Sequence, residues 1–196
     1  MLLKKENKKI YFIHIPRTGG RFVDNLFQTN GYEKRNNNIV RFKDLQWMHL
    51  HYKYLKDFTF FKNNFKFTVV RDPFARFMSA AKIEMHVGYE YHGFNLKTVD
   101  DVLDYIHLQK FGPSWHNNWF RPQVDFIGDD VKVWKYEDGF KEDFLKFIKD
   151  NFDIDLIWHD SLWSEPCKIH ADLKNVEIIK EAVKIEIGRA SCRERV

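Results

Sequence analysis

KIYFIHIPRTGGRFVDNLF, Lys9 to Phe27, is the stretch whose reading decides the fold. Ile10 to Ile15 form a short apolar run with charge before it and Pro16 after it. Such a run reads as a buried strand of an α/β sheet. Gly19 and Gly20 then permit a tight turn with little side-chain bulk. Phe22, Val23, Leu26 and Phe27 recur at helical spacing, so a helix follows the glycines. A strand, a glycine loop and a helix N-terminus make an anion site, because unpaired N–H groups and the helix dipole converge on the turn. Arg17 and Arg21 bring cationic donors to the same place.

The chain in order adds elements to this frame. FKFTVV, Phe65 to Val70, predicts a second buried strand. RDPFARFMSA, Arg71 to Ala80, begins at its carboxyl end, where ligands bind in open α/β sheets. Asp72 is placed to cap a helix with Pro73 at its first position. Phe74, Phe77 and Met78 give that helix a buried face, and Arg76 and Ser79 reach away from it. Between the two strands lies QWMHLHYKYLKDF, Gln46 to Phe58. His49 and His51 stand two apart, sharing one side if the backbone is extended and diverging if it is helical. An edge strand is predicted at Ile39–Phe42 and short strands at Val124–Ile127 and Val131–Trp134. The segment from Asp138 to Phe152 reads as an amphipathic helix, and a last helix begins near Asp172. The segment 84–95 reads as an aromatic loop carrying Tyr89 and Tyr91, and 112–127 as a Pro-bounded segment with Trp115, Trp119 and Gln123.

Composition narrows the classes. A formal charge of +4 suits an anionic ligand but is too mild to argue for nucleic acid. No stretch has the apolar length of a membrane span, and the N-terminal MLLKKENKK lacks the apolar core of a signal peptide. A soluble, cytoplasmic-type setting is expected. The cysteines, Cys167 and Cys192, have no metal-ligand spacing and make no disulfide framework. The final EIGRASCRERV, 186–196, coincides with one translated frame of a common short-read sequencing adapter. Residues 1–185 are therefore expected to be a single domain, truncated at its C-terminus. The tail's three Arg and two Glu would contribute one unit of the +4 charge without functional meaning.

Two segments together resemble the sulfotransferase superfamily, in its carbohydrate branch that includes heparan sulfate 2-O-sulfotransferase. HIPRTGG at 14–20 resembles its 5′-phosphosulfate loop, and VVRDPFARFMS at 69–79 its 3′-phosphate element. MHLH at 48–51 lies where this branch carries a histidine motif, RPQVDFI at 121–127 resembles a later Pro-Gln segment, and VWKYEDGFKEDFLKFI at 133–148 a later strand and helix. The resemblance implies a P-loop-like three-layer α/β/α fold with a central parallel sheet. It implies sulfuryl transfer from 3′-phosphoadenosine 5′-phosphosulfate to a carbohydrate hydroxyl, without a metal; the lack of an apolar span suggests a soluble bacterial or viral enzyme rather than an anchored form.

Residue by residue, the resemblance assigns donor binding to Arg17, Thr18, Gly19, Gly20, Arg21, Arg71 and Ser79. Arg17, which replaces the branch's usual lysine, would also neutralise the leaving group. His51 is the first choice for the base and His49 the second, able to orient the acceptor. His14 reads as structural, and His116 and Arg121 as contacts to acceptor anion or donor. Arg21-Phe22 replaces two hydroxyl residues: either Arg21 compensates with charge or donor binding is weak. Two other classes remain. A P-loop-like nucleotide kinase would need Lys-Ser/Thr after the glycines, which is absent. A non-catalytic nucleotide- or polysaccharide-binding relic fits the altered pair and the short C-terminus.

Overall fold

The computed structural model describes residues 1–35, 41–42, 45–80, 118–119 and 121–160, with single positions between 98 and 107 and between 177 and 184. Strands β1 (Leu2–Lys5) and β2 (Lys8–Ile13) form a hairpin whose turn holds Glu6 at φ 53°. Helix α1 (Gly20–Thr29) leads to β3 (Glu33–Arg35), and β4 (Arg41–Phe42) pairs with β5 (Leu45–Gln46) as a separate ribbon. Two short helices, α2 (Tyr52–Leu55) and α3 (Thr59–Lys62), precede β6 (Phe65–Val70). Helix α4 occupies 73–80, β7 is Val131–Lys135 and α5 is Glu142–Phe152.

The main sheet has five strands in the order β3-β1-β2-β6-β7. β1 runs antiparallel to both β2 and β3, whereas β2, β6 and β7 run parallel. This corrects the expected P-loop-like architecture with a central parallel sheet: the fold is α/β with a mixed sheet. The reason lies in the first nine residues. LLKK is short and half charged, so it carries no apolar run that would announce a strand. Folded back through Glu6 and Asn7, it buries Leu3 and pairs its backbone with β2.

β2 explains how the core divides. Its side chains alternate across the sheet, and both faces are covered. Ile10 and Phe12 join Val23, Leu26 and Phe27 of α1 and Phe144, Ile148 and Phe152 of α5. Tyr11, Ile13 and Ile15 join Leu50, Leu55, Phe61 and Phe126 on the other side. Thr68 of β6 is fully buried, and its hydroxyl donates to the Ile13 carbonyl at 2.8 Å. β2 and β6 therefore present their carboxyl ends side by side.

The strand expected at Val124–Ile127 is instead a 3-10 turn, Gln123–Phe126. Pro122 enters it at φ −52°, and Arg121 pairs with Asp125 at 2.9 Å. Phe126 is buried while Val124 is 69% exposed, so the apolar run never buries the faces a strand would. The expected edge strand at Ile39–Phe42 lies partly outside the described residues, which contain only its end as β4. The loop at 84–95, Trp115, His116, both cysteines, most of the last helix and the tail 186–196 lie outside them altogether.

Candidate functional site

The loop that follows β2 is built on two left-handed residues. Arg17 has φ 70° and Gly19 φ 86°. Among the described residues all peptide bonds are trans. Gly19 is the N-cap of α1 and supplies no side-chain cap. Among the described residues the amides of Thr18, Gly19, Gly20 and Arg21 make no backbone hydrogen bond. Successive amides in such a turn form a concavity for an anion, and the start of α1 adds its dipole. The Thr18 hydroxyl is buried and donates inward to the Ile15 carbonyl at 2.8 Å. An anion offers no proton, so the amide of Thr18 is the group it leaves for binding.

The glycines have separate duties. A Cβ on Gly19 would lie 2.8 Å from the ring of Phe140, and one on Gly20 would lie 2.0 Å from Nε2 of His14. Gly20 therefore lets the buried His14 ring sit directly against the loop. Burial holds His14 well below its ordinary pKa, with His49 beside it adding to the effect.

β6 delivers the second half of the site. Asp72 caps α4 as expected, its Oδ1 accepting from the Ala75 amide at 2.7 Å. Ser79, on the second turn of α4, accepts from Nε and Nη2 of Arg17 at 3.0 and 2.9 Å. The two motifs, 62 residues apart in sequence, thus meet through a forked bond. Arg71 donates from Nη1 to the Arg17 carbonyl at 3.3 Å and stacks 4.5 Å from the Tyr136 ring. Its Nε is buried and has no hydrogen-bond partner among the described residues. Gln123 holds the Arg71 backbone at two points, accepting from its amide at 2.9 Å and donating to its carbonyl at 2.7 Å.

Arg76 departs from the reading that it reaches away from the core. It is 5% exposed and donates from Nε to the Pro16 carbonyl at 3.0 Å and from Nη2 to the Trp119 carbonyl at 2.7 Å. Burial lowers its pKa to about 10, so it remains a cation at neutral pH. The Trp119 ring lies 5.8 Å from the Arg17 guanidinium.

The two motif histidines have different neighbours. The backbone is a 3-10 turn through His49, then extended at His51, which precedes α2 at φ −84° and ψ 165°. His49 is buried, with its ring 5.1 Å from His14. Asn118 donates to its carbonyl at 2.7 Å. His51 is also buried, against Tyr54 at 4.6 Å and Phe126 at 6.2 Å. Burial, with a smaller push from Arg121, lowers its pKa to about 4. Arg121 is occupied with scaffolding: it donates from Nε to Asn118 at 2.7 Å and pairs with Asp125.

Arg21 is exposed on the first turn of α1. Phe22 packs 4.7 Å from Phe140 and 5.5 Å from Trp158. The position that breaks the hydroxyl pattern is thus part of the apolar support beneath the loop. Among the described residues no group of His, Cys, Asp or Glu is placed to hold a metal ion.

Sequence reasoning named Arg76 and Gln123 without giving either a role at the site, and it did not single out Asn118 or Tyr136. For Arg76 a signal existed: it stands three residues before Ser79, hence on the same helical face. For the others nothing local pointed to the site, because each acts across the fold.

Neither the curated proteins nor the solved structures gave a match to the chain. The family model described as the sulfotransferase family matches residues 1–186, which span both halves of this site, and the chain belongs to that family.

Proposed function

We propose that the protein transfers a sulfuryl group from 3′-phosphoadenosine 5′-phosphosulfate to a hydroxyl of a carbohydrate acceptor. The observation that carries this reading is the junction of Arg17, Ser79 and Arg71 at the adjoining carboxyl ends of β2 and β6. A donor with two anionic ends needs two cationic stations at a fixed separation. The left-handed loop with its four open amides fits the 5′ end. Arg71, with an unpartnered buried Nε, and Ser79, whose hydroxyl proton is not used by its bonds from Arg17, fit the 3′-phosphate. Arg21 stands at the rim, where its charge adds to the same field.

In the reaction the acceptor oxygen bonds to sulfur, the bond from sulfur to the 5′-phosphate oxygen breaks, and the acceptor proton passes to a base. Donors placed where charge develops are the main source of rate in such transfers. Arg17 and the amides of residues 18–21 supply them at the departing oxygen. Of the two histidines the surroundings favour His49 as the base. It adjoins His14, which touches the loop at Gly20, and Asn118 ties it to the segment bearing Trp119. His51 lies among aromatic rings and, at a pKa of about 4, is a weak base.

Calorimetry tests the donor. The protein is expected to bind adenosine 3′,5′-bisphosphate at least tenfold more tightly than adenosine 5′-phosphate. Equal affinities would reject the reading. Turnover with glycan acceptors would then separate a working transferase from a protein that only binds.

A further inference from the structure

Arg76 is a buried cation that the proposed chemistry leaves without a task. Its Nε and Nη2 bonds both go to backbone carbonyls, and among the described residues no carboxylate neutralises it. Burying a cation that way is costly, and a leucine or methionine would fill the same space more favourably. The location suggests what the charge does. Pro16 and Arg17 are consecutive loop residues, and the carbonyl of each is held by a guanidinium from the β6–α4 segment: Pro16 by Arg76, Arg17 by Arg71.

In a trans peptide the C=O and the following N–H point in opposite directions. Holding the Pro16 carbonyl therefore fixes where the Arg17 N–H points, and holding the Arg17 carbonyl fixes the Thr18 N–H. Released, either peptide could turn its oxygen into the loop, where it would repel an anion. Arg17 at φ 70° is a conformation that non-glycine residues leave readily. From these contacts we infer that Arg76 is a positioning residue: it locks the Pro16–Arg17 peptide so that the loop offers amides to the 5′ anion, and its second bond fixes Trp119 beside Arg17. This assignment rests on the donor reading above and extends it to a residue that does not touch the donor.

The test uses three ligands on the full chain: adenosine 3′,5′-bisphosphate, adenosine 5′-phosphate and adenosine 3′-phosphate. Arg76→Lys keeps the charge but cannot reach two carbonyls in fork geometry. It should weaken the two ligands carrying a 5′-phosphate by tenfold or more and leave adenosine 3′-phosphate within twofold. A general loosening of the fold would weaken all three alike, and that result overturns the proposal, as does unchanged binding of all three. Arg76→Gln, which retains one amide donor without a buried charge, is measured in parallel, with thermal melts for both. If neither variant folds, Arg76 is a core residue and the proposal fails. Lack of preference for the bisphosphate by the unaltered protein is a separate result that rejects the donor reading itself.

Discussion

The two ends of β6 each bury a cation, and they treat it differently. At the start, Lys66 is 4% exposed and meets Asp130 at 2.8 Å, and it donates to the Asn64 and Lys62 carbonyls at 2.9 and 3.3 Å. Past the other end, Arg76 is 5% exposed and meets only carbonyl oxygens among the described residues. Lys66 is neutralised and can serve only structure. Arg76, with Arg71 beside it, keeps its field in a region where the loop amides are open. An uncompensated charge at one end of a strand, beside a neutralised one at the other, is the arrangement that the proposed anion site calls for. The same strand thus carries its own control.

The largest effect expected from breaking this contrast is at Arg17. Arg17→Gly removes the guanidinium while accepting the backbone: φ 70° is free for glycine. Relief of strain worth about 1–2 kcal/mol roughly offsets the added unfolded-state freedom of about 1 kcal/mol. The melting temperature should therefore change by only a few degrees. Turnover should fall by about 10² to 10³, the usual cost of removing one donor from developing charge. Turnover kinetics alongside a thermal melt decide it. A variant with normal turnover would mean that the charge at the adjoining carboxyl ends of β2 and β6 is not functional.

The neutralised end predicts the opposite pattern. Asp130→Asn leaves Lys66 buried without its counter-charge. Removing one partner of a fully buried pair costs about 3–5 kcal/mol. Because Asp130 is 53% exposed, water screens the loss, and about 1–2 kcal/mol is expected. Turnover per folded molecule should be unchanged. Partial burial would raise the Asp130 pKa, but hydrogen bonds from Lys66 and Tyr52 outweigh it and hold the carboxyl below its ordinary 3.8. A depressed folded pKa gives stability that is present above 3.8 and is lost as pH falls through the folded value. Urea unfolding between pH 5 and 3 should show that loss in the unaltered protein and less of it in Asp130→Asn. Equal acid sensitivity in both would remove Asp130 from the structural end of the comparison.

The sequence made the carboxyl ends of β2 and β6 legible, because apolar runs, glycines and an Asp-Pro cap are local signals. The mixed sheet was not legible. β1 is four residues with two lysines, and its pairing depends on a hairpin that no turn motif announces. The 3-10 turn at Gln123–Phe126 defeated an apolar-run argument, since its stability comes from Pro122 and the Arg121–Asp125 pair. At the site, Arg17, Arg71 and Ser79 were readable through the resemblance and come together. Arg76 was placed on the same helical face as Ser79 but given no partner, because a helical wheel does not show that a long side chain can reach the loop carbonyls. Gln123, Asn118 and Tyr136 act over separations that no local pattern encodes.

The smallest effect at neutral pH is expected at His51, and it sharpens which histidine belongs to the functional end. His51 is buried and held at about pKa 4, first by burial and then by Arg121, with Asp125 opposing and Lys53 adding slightly. In the unfolded chain a histidine titrates near 6.5. The folded value is the lower one, so His51 contributes stability above about 6.5 that is lost as pH falls toward 4. A full proton gives about 1.4 kcal/mol per pH unit. His51→Gln should remove a fraction of that slope, and His14, also depressed by burial, should retain part of it. At pH 7 the variant should melt close to the unaltered protein and cost less turnover than His49→Gln, which removes the ring facing His14. A steeper loss of turnover from His51→Gln than from His49→Gln would move the base to His51 and make its aromatic pocket part of the reacting centre.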